Sequence, residues 1–136
     1  MKANFETVDY SAKYYCAILK NPLPQRWGGK FVQVSRGETE YIIFAPKEFA
    51  AYHADIVKHF CDERCIDGTY NHTEKRFDIV DPAWTITGGG KFEIDRAQRT
   101  IRLFDNSLAY GKYDRRGLRE KLARGQGFID YSVTME

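Results

Sequence analysis

Two runs rich in β-branched and aromatic residues, GKFVQVSRG (29–37) and YIIFAP (41–46), stand only three residues apart. So short a connection makes them a hairpin or two neighbouring strands of one sheet. Pro46 then suits the first turn of a helix, and an amphipathic pattern runs from about Lys47 to Cys61 before Gly68 closes the region. WTITGGGKFEID (84–95) and RTIRLFD (99–105) read as two more strands around a short turn at RAQ. Phe92 and Ile94 share one face, as do Ile101 and Leu103 on the partner. Asp114 is a plausible N-cap for RRGLREKLARG, a helix ended by Gly125 and Gly127, and FIDYSVTM forms a last strand. The order predicts an α+β fold: a single domain with a mixed β-sheet and two main helices packed on it. That domain spans 29–136. Residues 1–28 are set apart as an N-terminal leader, in which VDYSAKYYCAILK fits a short strand or a helix equally well. The polar stretch DGTYNHTEKRFD (67–78) is expected to be a loop.

At 136 residues the chain can bury a core without disulfides or metals. Its 43% hydrophobic and 29% charged residues exclude a disordered composition, and 15% aromatics suit a β-containing core. A net charge of +2 gives no ground for nucleic-acid binding. No apolar stretch approaches the ~20 residues needed to cross a membrane, and no signal peptide opens the chain. Cys16, Cys61 and Cys65 are an odd set that fits free thiols in a reducing compartment, so a cytoplasmic location is expected.

His53 is the residue that composition does not explain. At 100° per residue, Phe49, Ile56, Val57 and Phe60 fall within about 60° of it, so it occupies the centre of the apolar arc. The plain reading is a core histidine satisfied by backbone groups. The functional reading is a general base at a cleft, kept neutral because burial disfavours the charged ring. Asp55 lies about 200° around the helix and cannot be its partner.

DNSLAYG (105–111) is either an ordinary turn or a nest. In the second case unpaired backbone N–H groups and the Ser107 hydroxyl would hold a phosphate or sulfate. TGGGK (87–91) is not a P-loop, because that motif needs four residues between its glycines and Ser or Thr after the lysine. Its glycines instead suit a bulge or a close backbone approach. Cys61, Cys65, His59 and His72 match no strong zinc spacing, and no G-x-S-x-G elbow is present. The basic residues of KYDRRGLREKLAR read as a solvated helix face, or more sharply as a docking surface for acidic or phosphorylated partners.

Taken in order, AYHADI, TGGGK and NSLAYG resemble the protein-histidine phosphatase family, also called Janus/Ocnus, over roughly residues 29–134. The resemblance implies His53 as catalytic histidine and Lys30 as a phosphate contact. It also implies that Ser107, Leu108 and Ala109 bind phosphate, largely through backbone N–H groups. Lys91 stands where the family often has arginine, which reduces a bidentate grip to a point charge. Ala45 and Glu48 fall where some members carry basic residues. The implied activity is metal-independent hydrolysis of phosphohistidine in proteins by a monomer with no cofactor. Its partners would be phosphohistidine-containing proteins, with no role for nucleic acid or membrane. The alternatives are a phosphoprotein-binding module of the same fold, or a broader phosphoramidase acting on phospholysine or small phosphoramidates.

Overall fold

The two runs at 29–37 and 41–46 pair as expected and occupy the middle of a larger sheet. A computed structural model describes residues 4–124 and 127–136. Strands β1 (Asn4–Asp9), β2 (Arg26–Arg36) and β3 (Thr39–Pro46) precede helix α1 (His53–Glu63). A small hairpin, β4 (Gly68–Asn71) and β5 (Arg76–Ile79), follows it. Then come β6 (Trp84–Asp95), β7 (Thr100–Phe104), helix α2 (Leu118–Arg124) and β8 (Ser132–Met135). Six of the strands form one mixed sheet in the order β1-β3-β2-β6-β7-β8, parallel at its two outer pairs and antiparallel between. The fold is α+β, as expected.

The helices lie on opposite faces, because β2 is apolar on both. Val32 and Val34 belong to the cluster under α1 with Ile56, Val57 and Phe60. Phe31 belongs to the other cluster, with Phe44, Phe92, Ile101 and the α2 residues Leu118 and Leu122. A sheet covered on both faces needs such continuous apolar runs. Phe92 opposes Leu103 and Ile94 opposes Ile101, so the residues expected to share a face on each strand meet across the pair.

Four expectations shift. Residues 4–9, within the stretch set apart as a leader, form β1 and pair with β3 from Asn4↔Thr39 to Asp9↔Phe44. A π-helical segment, Ala12–Ile18, follows them. Pro46 ends β3, paired with Gly29, and does not start a helix. The chain turns over residues 47–50, Tyr52 is extended (φ −125°, ψ 155°), and α1 begins only at His53. The stretch 67–78 is a hairpin, with Phe77 buried against α1 despite its polar surroundings. Asp114 does not cap α2; it lies four residues before Leu118, the helix start, and accepts from the N–H of Arg116. Buried Gln33 fixes it there, donating to the Asp114 carbonyl and accepting from its N–H. The expected stop at Gly125 lies outside the described residues.

Candidate active site

His53 is the first residue of α1, and side chains there lean towards the helix N-terminus. The Asp55 carboxylate fixes this end by accepting from the N–H of Tyr52 (3.0 Å). Its other oxygen accepts from the Tyr70 hydroxyl of the hairpin (2.6 Å). The imidazole comes down on Gly89, where a Cβ would lie 2.9 Å from its Cδ2. Gly89 is bare because the ring occupies the space. Thr87, just before the glycines, is the extra residue where the β2–β6 register shifts, so the glycines permit both a bulge and a close approach.

His53 Nε2 sits 2.9 Å from the Gly90 carbonyl. A carbonyl only accepts, so Nε2 carries the hydrogen and the lone pair of the neutral ring is on Nδ1. No described group bonds Nδ1. Burial pushes the His53 pKa below its ordinary value; the Gly90 bond opposes this, and the charges of Lys30 and Lys91 add to the lowering. The ring is therefore uncharged at neutral pH.

The turn after β7 supplies the facing wall. Ser107 and Gly111 bond each other through both backbone groups, at 3.1 and 2.7 Å. The Ser107 Oγ accepts from the N–H of Tyr110 (3.1 Å), leaving its own hydrogen available. The N–H groups of Leu108 and Ala109 have no described acceptor, and the Leu108 side chain is fully exposed. The hairpin read as a loop braces this turn. Arg76 Nη1 donates to the Ala109 carbonyl (2.6 Å). The Tyr110 hydroxyl accepts from the N–H of Phe77 and donates to its carbonyl, both at 2.7 Å. Burial pushes that hydroxyl's pKa up to about 12, so it remains a donor. Tyr110→Phe should lower stability by about 1–3 kcal/mol, since two strand-edge backbone groups lose their partner. A urea midpoint equal to that of the parent chain would refute the brace.

Lys30 on β2 and Lys91 on β6 are direct cross-strand partners. Lys91 pairs with Asp105 at 3.1 Å, and this contact holds the Asp105 carboxyl below its ordinary pKa. Lys30 has no ion-pair partner among the described residues. A cleft of about 460 Å³ brings these groups together, lined by Lys30, His53, Lys91, Ser107, Leu108 and Ala109. All six candidate residues thus share one site, although Lys30 and Ala109 are 79 residues apart in the chain. Sequence reasoning missed Tyr52 and Asp105, which also line it. The signal for Asp105 was the strand register, since Lys91 opposes Phe104 and Asp105 is the next residue. Among the described residues no three His, Cys, Asp or Glu side chains cluster as a cation site. None of the described helices is long and apolar enough to cross a membrane.

One cleft thus holds an uncharged histidine, two backbone N–H groups and a lysine ammonium without partners among the described residues. The match of a family model over residues 30–132 gives the lineage: the chain belongs to the Janus/Ocnus family. No curated protein matches it.

Proposed function

We propose that the chain hydrolyses the P–N bond of phosphohistidine in proteins, in the reducing cytosol, without a metal ion. The observation that carries this reading is the tautomer of His53. With Nε2–H held by Gly90, the basic Nδ1 is the ring atom left to take a proton. Lys30, the Ser107 hydroxyl and the N–H groups of Leu108 and Ala109 would hold the phosphoryl oxygens as charge develops on them. A water O–P bond forms while the P–N bond breaks. The water proton goes to His53 Nδ1, and the departing imidazole nitrogen takes a proton from the newly charged His53 or from solvent. The P–N bond is labile, so positioning and charge stabilisation suffice for the step.

The direct test is phosphate release from a phosphohistidine peptide in EDTA, followed over pH. Turnover should persist in EDTA. The unfolded reference for His53 is about 6.5 and the folded value lies lower. As the active form is neutral, kcat/KM should be flat above pH 6.5 and fall about tenfold per unit once pH drops through the lowered pKa. Loss of turnover in EDTA, or activity that rises on acidification after correction for spontaneous hydrolysis, would overturn the reading.

One observation favours a second reading, a phosphoprotein-binding module. Lys91, already a point charge where relatives often carry arginine, has Asp105 against it. In the same assay a binder protects the phosphate and releases none. A broader phosphoramidase would release it from phospholysine and free phosphoramidate as well.

A further inference from the structure

Beyond His53 the α1 face of the sheet continues along β2 and β6. Alternation along β2 puts Arg26, Gly28 and Lys30 on the same face as Val32 and Val34, which lie under α1. Opposite them on β6 are Asp95, Glu93 and Lys91, and β7 adds Arg102 opposite Glu93. This surface forms an open groove of about 630 Å³ that shares Lys30 and Lys91 with the cleft, so the two adjoin there. Arg26, Lys30, Lys47, Lys91 and Arg102 line it together with Glu93, and Lys91 carries the Asp105 carboxylate against it. Arg26 is paired with Asp95 at 2.8 Å, and Arg102 bonds Glu93 and Glu136. Lys30 and Lys47 have no ion-pair partner among the described residues. Gly28 leaves the floor without a side chain. From Lys30 to Arg26 the groove follows the strand for about 13 Å, the reach of about four extended residues.

We propose that this groove binds an acidic, extended segment next to the phosphorylated residue of the substrate, so that carboxylates two to four positions from it meet Lys47 and Arg26. The assignment rests on the phosphohistidine reading for what occupies the cleft. Charge complementarity carries it: of the five cations, Arg26, Lys91 and Arg102 are paired with carboxylates, while Lys30 and Lys47 have no ion-pair partner among the described residues and stand on an open track that starts at the phosphate site. Such surface charges act mainly on affinity and encounter, and salt weakens them.

The test uses peptides containing a non-hydrolysable phosphohistidine analogue flanked by Glu, Ala or Lys, with binding read by fluorescence anisotropy. Phosphohistidine peptides of the same flanks, and free phosphoramidate, are assayed for turnover in parallel. The Glu-flanked analogue should bind about 10-fold or more tighter than the Lys-flanked one at low salt, and the preference should shrink at high salt. Lys47→Glu and Arg26→Glu should erase that preference while phosphoramidate turnover stays within about two-fold, since neither lines the cleft. Equal binding of the three peptides, or a preference unchanged in both variants, overturns the groove even if phosphoramidate is hydrolysed. Inorganic tripolyphosphate bound with no preference among the peptides assigns the groove to a small polyanion and also overturns it. Absent turnover of every substrate, with the Glu preference intact, removes the hydrolase reading and leaves the groove.

Discussion

His53→Ala should lower kcat on a phosphohistidine peptide by about 10²–10⁴-fold, the usual worth of a positioned base. The ring also has a structural duty, because Nε2 satisfies the buried carbonyl of Gly90. Its removal should therefore cost stability as well, about 1–3 kcal/mol, the typical penalty for an orphaned buried acceptor. His53→Gln separates the two roles. Its side-chain amide can donate to Gly90 yet has no base of useful strength, so it should recover stability and leave turnover low. Activity of His53→Ala within a few-fold of the parent, with circular dichroism unchanged, would end the catalytic assignment. Rapid-quench labelling adds a separate check on the route. Acid-labile phosphate on His53, formed at the rate of turnover, would replace water activation by a phosphoenzyme.

Gly89→Ala should damage the fold and the candidate site together. The added carbon would lie 2.5 Å from the Phe31 carbonyl oxygen and 2.9 Å from His53 Cδ2. The first neighbour is backbone of the adjacent strand, which moves only if the β2–β6 pairing opens. The second is the imidazole, which can leave only by giving up its bond to Gly90. Overpacking of this kind costs about 1–3 kcal/mol, occasionally more. The expected result is a lowered urea midpoint together with turnover close to that of His53→Ala, because a base displaced by an ångström no longer meets its water. A variant as stable and as active as the parent would show that the ring does not rest on Gly89.

Much of this geometry was readable from the chain. The strands of 29–46 and 84–104 announced themselves by alternation, a period set by local backbone geometry. His53 stood out because a titratable ring at the centre of an apolar arc conflicts with burial unless something satisfies it. The satisfying group, the Gly90 carbonyl, comes from a strand 37 residues away. Periodicity carries no information about that partner.

The misreadings share a cause. The stretch 67–78 looked like a loop because its polar residues hide one buried apolar contact, Phe77, whose backbone is satisfied by Tyr110 rather than by a long sheet. β1 went unrecognised because its partner is β3, more than 30 residues on, and parallel pairing leaves no turn signature nearby. α1 was extended back to Lys47 because residues 47–50 carry helix-like spacing, while pairing of Pro46 with Gly29 holds the chain in the sheet. Local pattern loses wherever a distant strand offers hydrogen bonds.

The element types with strong periodicity, the fold class, and the three segments that carry the family likeness are all legible along the chain. Those properties depend on near neighbours, whose spacing along the chain is also their spacing in space. Three features emerge only from the folded chain: that six residues from four segments line one cleft, which nitrogen of His53 bears the hydrogen, and that a charged groove adjoins the cleft. Each of these is a relation between groups that the sheet register brings together, and register is fixed by the burial of both faces at once.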